Sequence, residues 1–65
     1  MRFVDVINKK RYNEELTDQE IQFFVDGVTD GSIPDYQISS LLMAIVLNGM
    51  NERETSYLAK AMMNS

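Results

Sequence analysis

The chain has 65 residues, a formal net charge of −4, and neither cysteine nor histidine. Its length allows one domain at most, which buries only about 60% of the surface that the unfolded chain exposes. The two missing residue types exclude disulfides, thiolate–zinc sites, cysteine nucleophiles and imidazole bases, and they favour a cytoplasmic location. The acidic balance disfavours nucleic acid as a partner. The longest apolar run, residues 41–47, is far too short to span a membrane, which takes ~20 residues. We expect no signal peptide, because Asp5 comes early and no long apolar core follows Met1.

Apolar residues recur at spacings of three and four in four segments of the chain. This periodicity predicts an all-α fold, a compact array of four short helices joined by short loops. The predicted helices cover approximately residues 2–11, 17–30, 34–48 and 51–64.

The first predicted helix has no good N-cap and ends in the basic run Lys9–Arg11. Cations are favoured at a helix C-terminus by the helix dipole, and the acidic residues Glu14 and Glu15 follow the run closely. The apolar arc of this helix consists of Phe3, Val4, Val6 and Ile7.

The second helix has the clearest start. Thr17 and Glu20 form the pattern of a capping box, and Leu16 and Ile21 occupy the two positions of a hydrophobic staple. Gly27 lies inside this helix and costs about 1 kcal/mol relative to alanine. The predicted stripe is Ile21, Phe24, Val25 and Val28, with Phe23 on the opposite side and Gly31 as the end.

The third helix, between Pro34 and Gly49, is apolar on two faces and must therefore be covered twice. Its short residues Ser39, Ser40 and Ala44 allow another helix to approach closely. The first face consists of Ile38, Leu41, Leu42 and Ile45, and the second of Met43, Val46 and Leu47, flanked by Tyr36.

The fourth helix begins after a predicted cap at Asn51, and its stripe consists of Leu58, Ala61 and Met62. The sequence stops at Asn64–Ser65 without a helix-ending glycine, so we expect the natural sequence to continue. The methionines of the third and fourth helices are interpreted as core or interface filler.

Few residues suggest a catalytic, cofactor-binding or metal-binding role. Asp26–Gln37 resembles a calcium loop, but Val28 and Gln37 stand where two oxygen ligands belong, so we interpret it as a helix end and an Asx turn. The carboxylate pairs Asp18/Glu20 and Glu52/Glu54 lie in first helical turns, where the dipole alone explains them. We predict no catalytic, cofactor-binding or metal-binding residue.

The chain nevertheless resembles the pyrimidine-nucleoside and thymidine phosphorylases over essentially its whole length. The most specific stretch is Thr29-Asp30-Gly31-Ser32-Ile33-Pro34-Asp35-Tyr36-Gln37. Further matching positions are residues 2–7, 9–11, 16–17, 20–21, 23–25, 39, 41–45, 49–50 and 54–55.

This resemblance implies the helical N-terminal domain, residues 1–65, of a longer two-domain pentosyltransferase of pyrimidine salvage. Such enzymes are homodimers that cleave uridine, thymidine or deoxyuridine with phosphate, giving the free base and (deoxy)ribose 1-phosphate. Their active site lies in the cleft between the helical domain and an α/β domain. The phosphate- and base-binding residues would follow Ser65, so the chain alone is expected to be inactive.

The double apolar face suggests a contact with a second subunit or with the rest of the parent chain. Two alternatives remain. One is a stand-alone helical interaction module, and the other is the related N-terminal domain of the anthranilate phosphoribosyltransferases. The predicted contact residues are Phe3, Val4, Met43, Val46 and Leu47.

Overall fold

The computed structural model describes residues 1–64, which form four α-helices joined by short loops. No strand occurs within this range, which confirms the all-α prediction. Each observed boundary lies within one residue of the predicted one, whereas Ser65, the end of the predicted domain, lies outside the described residues. The helices are α1 (Phe3–Arg11), α2 (Asp18–Asp30), α3 (Asp35–Asn48) and α4 (Glu52–Met63).

Two capping boxes start α2 and α4. The Thr17 hydroxyl accepts the Glu20 N–H at 3.2 Å, and the Glu20 carboxylate accepts the Thr17 N–H at 2.8 Å. Asn51 and Glu54 exchange the same pair of bonds at 2.8 and 2.9 Å. The predicted box at Thr17 is confirmed, and the predicted cap at Asn51 is a complete box as well. As predicted, α1 begins without a side-chain cap.

The turn between α2 and α3 is set by its own side chains. Gly31 ends α2 in the left-handed region, with φ 78°, and the Asp30 carboxylate accepts the Ser32 N–H at 2.8 Å. This Asx turn confirms the interpretation of the calcium-like pattern as a helix end. Pro34 is the N-cap residue of α3, and Gly49 ends that helix with φ 77°.

The helices pack as two pairs, α1 with α3 and α2 with α4. Phe3 links the pairs, because its ring stacks on Phe24 at 5.8 Å and meets Phe23 edge-on at 6.0 Å between centroids. The buried apolar side chains are Phe3, Val6, Ile7, Leu16, Ile21, Val25, Ile33, Leu41, Ala44 and Ala61.

Four predicted core placements are wrong. Leu42, Val28 and Met62 are exposed, and Phe23 packs against Phe3 instead of facing away. A helix in so small an array contacts its neighbours through an arc narrower than its apolar stripe. In α3 this arc is centred between Leu41 and Ala44, and Leu42 then lies roughly 130° from the centre at 100° per residue.

A buried ion pair joins the helix ends. Lys10 Nζ lies 2.9 Å from Glu54 Oε2, and the two side chains are 3% and 2% exposed. The same oxygen accepts the N–H of Leu16 at 2.8 Å. The Asn48 amide donates to the Lys10 carbonyl at 2.8 Å. One cluster therefore fixes the C-termini of α1 and α3, the loop before α2 and the N-terminus of α4.

The basic run lies in the last turn of α1, as predicted, and its two lysines bind glutamates other than the nearby Glu14 and Glu15. Lys9 lies 2.7 Å from Glu20, the capping glutamate of α2, just as its neighbour reaches the capping glutamate of α4. Glu15 pairs instead with Arg53 at 2.7 Å. The last turn of α1 therefore carries its cations to the N-termini of two other helices rather than to the adjacent loop.

The environment of Glu54 favours its ionised form. Burial raises the pKa of this carboxyl, but the backbone N–H groups of Asn51 and Leu16 lower it, and so does the Lys10 ammonium. Together these interactions outweigh burial and hold the pKa below its ordinary value of 4.5. The pKa of Glu20 is lowered in the same way, with burial opposed by its own lysine and N-cap residue.

Gly27→Ala is expected to destabilise the domain, although alanine is the better helix former. A Cβ at this position would lie 2.1 Å from Ile33 Cδ1 and 2.3 Å from Cγ1. Because Ile33 is itself buried, we expect the overlap to outweigh the helix-propensity gain and to lower the free energy of unfolding by about 1–3 kcal/mol. Urea denaturation of this variant measures the loss.

The matched control is Gly27→Ala in an Ile33→Ala background. There the overlapping atoms are gone, and the alanine should be neutral or stabilising. An unchanged or higher stability of Gly27→Ala in the native background would contradict the explanation.

Glu54→Gln is expected to lower the free energy of unfolding at neutral pH by about 3 kcal/mol, because Lys10 is left buried without its counter-ion. Lys10→Met combined with Glu54→Gln should recover part of this loss. Since the folded-state pKa of Glu54 is lowered, its contribution is present above the unfolded-state value and is lost as pH falls below 4.5. Denaturant titrations from pH 7 to about pH 3 should therefore show a shallower acid loss for the double variant.

Glu15→Gln is the control for a surface pair, since Glu15 and Arg53 are each about half exposed. It should change stability little. An acid profile that is the same for the native chain and the double variant would argue against a stabilising role of the buried carboxylate.

Candidate functional site: an exposed apolar face on α1 and α3

The outer side of α3 carries a stripe of exposed apolar side chains. Spacings of three and four residues place them on one side of the helix. No described residue covers them, which is unusual for so many large apolar groups in a small domain. The stripe consists of Tyr36, Met43, Val46 and Leu47, which are 70%, 59%, 77% and 74% exposed.

Beside this stripe, α1 and α3 enclose an open groove of about 570 Å³. The buried side chains of Ile7 and Ala44 lie at its base. The short residues of α3 leave this space open, and the Ser40 hydroxyl donates within its own helix to the Tyr36 carbonyl at 2.9 Å. The groove therefore offers an apolar base and a polar group that already has a partner. Its polar lining consists of Asn8, Arg11, Gln37, Ser39 and Ser40.

The structure brings four of the five predicted contact residues to this side of the molecule. Met43 and Leu47 line the groove with Val4, which is half-buried, and Val46 is exposed on the same helix. Phe3 does not belong to this face, since it is 6% exposed and lies in the core. The contact role of the other four stays a prediction.

Asn8 and Arg11 were missed as lining residues. Both follow Val4 at helical spacing along α1, so the spacing could have placed them on the same side. A stripe of mixed polarity is a weak pattern in sequence, and only the packing of α1 on α3 makes it the wall of a groove.

Several carboxylates make structural contacts. Helix dipoles alone do not explain Glu20 and Glu54, because both also bind lysines. Asp18 pairs with Arg53, and Asp26 accepts a hydrogen bond from Gln22 at 2.9 Å. Among the described residues, no group of three acidic side chains is arranged to hold a metal ion, and no helix is long and apolar enough to cross a membrane.

The chain is similar to known proteins over its whole length. It is 60% identical over 65 residues to the pyrimidine-nucleoside phosphorylase of Bacillus subtilis, and 57% and 54% identical to those of Geobacillus stearothermophilus and Staphylococcus haemolyticus. The predicted resemblance is thus confirmed. Each alignment includes 100% of this chain, which spans 15% of the length of these relatives.

A family match agrees with these relatives. Residues 4–65 match the glycosyl transferase family helical bundle domain, which leaves only the first three residues outside the match. The observed four-helix architecture is consistent with that description. The chain therefore belongs to the helical bundle domain of the glycosyl transferase family.

Proposed function

We propose that this chain is the N-terminal helical domain of a pyrimidine-nucleoside phosphorylase, a pentosyltransferase. The 60% identity over the whole chain to the Bacillus subtilis enzyme carries this proposal. The longer enzyme would cleave uridine, thymidine or deoxyuridine with phosphate, in the cytoplasm and in pyrimidine salvage. Phosphate is its co-substrate, and the proposal includes no metal, cofactor, nucleic acid or membrane.

Within that enzyme, the helical domain has a structural role as a dimer contact and as one wall of the substrate cleft. Its buried carboxylates, Glu20 and Glu54, are engaged in caps and ion pairs, which supports a scaffold rather than a catalytic centre. The cluster around Lys10 holds the ends of α1 and α3 together, and this keeps the outer face of the pair in one shape. The chemistry would be supplied by the remaining part of the longer chain.

The α1/α3 face is proposed to contact a second copy of itself. It is rich in exposed apolar groups, and no acidic side chain lines its groove. The net charge of −4 is therefore not concentrated where two copies would meet. A two-fold axis would place the same apolar patch on both sides of the contact, so each of its side chains would be buried once in each subunit.

Leu47→Asp is expected to weaken self-association of the domain without unfolding it, since Leu47 is exposed in the single chain. The dissociation constant should rise about 30- to 1,000-fold, because the two-fold axis doubles a cost of about 1–2 kcal/mol per buried charge. Sedimentation equilibrium over a wide concentration range measures this change.

Met63→Asp is the matched control, since Met63 is an exposed apolar residue of α4 outside the groove. It should leave the sedimentation profile unchanged. A native chain that stays monomeric at high concentration would contradict the dimer contact.

The enzymatic proposal is tested on the product of the full reading frame. With phosphate present, we expect release of free base from uridine or thymidine, measured by chromatography. Turnover of anthranilate with its phosphoribosyl donor, and none of the nucleosides, would favour the related phosphoribosyltransferases instead. The 65-residue chain, assayed in parallel, should release no base.

The α1/α3 groove also favours a second candidate, a stand-alone module that binds an amphipathic helix of another protein. The reading frame separates the two proposals. A stop codon directly after Ser65 would leave only the module, whereas several hundred further codons that include a glycine-rich phosphate loop would exclude it.

A further inference from the structure

The end of α3 carries the one asparagine of the chain that is followed by glycine, Asn48–Gly49. Asparagine is a thermally labile residue, since its side chain can react with the backbone nitrogen of the next residue. Glycine in that next position favours the attack, because it has no side chain that would block it. Asn48 is also exposed to solvent, so water can reach the product. This pair is therefore a candidate modification site.

The reaction at such a pair needs no reagent other than water. The Gly49 nitrogen forms a bond to the side-chain carbonyl carbon of Asn48, and its proton leaves with the ammonia that is released. Water then opens the resulting succinimide ring at either of its two carbonyl groups, which gives an aspartate or an isoaspartate. In both products an amide that donates hydrogen bonds has become a carboxylate, which only accepts them.

The folded chain engages both reacting groups in other contacts. The Gly49 N–H donates to the Ile45 carbonyl at 2.6 Å. The Asn48 amide donates to the carbonyls of Lys10 and Arg11 at 2.8 and 3.1 Å, and we call this contact between the ends of α3 and α1 the C-terminal joint. Ring closure requires release of all these bonds, because the nitrogen must be free and the amide must turn toward it. Opening of the joint and of the last turn of α3 therefore controls the reaction.

The carboxylate formed at position 48 could not remake the C-terminal joint. It would face the two carbonyl oxygens that now accept hydrogen bonds from the amide. The helix dipole opposes negative charge at a helix C-terminus, and here α1 and α3 end together. The cavity beside Asn48 is lined by the carboxylates of Glu14, Glu15 and Glu54, and the single cation among its lining residues, Lys10, is already bound by Glu54.

We propose that Asn48–Gly49 is a spontaneous deamidation site that the C-terminal joint protects, and that its conversion releases the end of α3 from α1. The joint is then a one-way switch. Opening permits the reaction, and the charge that the reaction creates keeps the joint open. This inference is independent of the proposed function, since it uses only contacts within the chain.

The first measurement compares deamidation of the folded and the unfolded chain. The 65-residue chain is incubated at mildly alkaline pH with and without guanidinium chloride, and trypsin then releases position 48 in the peptide 12–53. Tandem mass spectrometry distinguishes conversion at Asn48 from conversion at Asn13 and Asn51 in the same peptide. In the unfolded chain Asn48 should react fastest of the three, because only it precedes glycine. In the folded chain its conversion should be about 10- to 1,000-fold slower, because ring closure waits for local opening.

The second measurement gives the effect of the product. Asn48→Asp should lower the equilibrium constant for folding at least about tenfold in denaturant titrations, because two hydrogen bonds are lost and a carboxylate faces two helix C-termini. Hydrogen exchange of the Gly49 N–H should become faster in this variant, since the last turn of α3 opens more often. Asn13→Asp is the matched control, because it adds the same charge beside the same cavity from an exposed residue outside the joint. It should change the folding constant by less than about threefold.

Each part of the inference has an outcome that would overturn it. Equal conversion rates at Asn48 in the folded and unfolded chain would contradict protection by the joint. An unfolded chain in which Asn13 reacts as fast as Asn48 would contradict the assignment of the site. A folded chain without detectable conversion, or equal effects of Asn48→Asp and Asn13→Asp on stability and exchange, would contradict the switch. Assays of phosphorolysis by the full-length protein bear on none of these outcomes.

Discussion

The buried contact between Lys10 and Glu54 is the interaction on which the arrangement of the helices depends. Two charges removed from water cost several kcal/mol, which is offset only when the geometry is good and the remaining polar atoms are bonded. Here one oxygen of the carboxylate accepts both the ammonium and the N–H of Leu16, and the other accepts the N–H of Asn51. A single side chain thus caps a helix locally and holds residues 44 positions apart.

The pair Lys9–Glu20 repeats the arrangement of Lys10–Glu54. Consecutive lysines at the end of α1 contact the capping glutamates of α2 and α4, so the negative end of one helix dipole lies near the positive ends of two others. The third helix is held differently, by Asn48 at its end and by apolar packing against α1. Glu20 and Glu54 are therefore engaged away from the α1/α3 groove, and the outer side of α3 remains apolar and exposed.

The candidate face was predictable because a helix that is apolar on two sides cannot be covered twice by a chain of this length. Met43, Val46 and Leu47 were assigned to it on that argument, and all three are exposed. The same argument assigns Phe3 to it as well, but its ring is buried and contacts the rings of Phe23 and Phe24. Nothing in the spacing of α1 tells which part of a broad apolar arc meets another helix, since that depends on how the second helix pair docks.

The sequence by itself determined the four helices, their starts and ends, and the family. These features depend on short-range chemistry, such as a capping box closed over three residues or a glycine that adopts positive φ, and on a run of matching residues. Tertiary structure decided which arc of each apolar stripe is buried and why position 27 has no room for a side chain. It also decided which glutamates Lys9 and Lys10 bind. Those outcomes join residues far apart in the chain, so they are set by the packing of the helices against one another rather than by any local pattern.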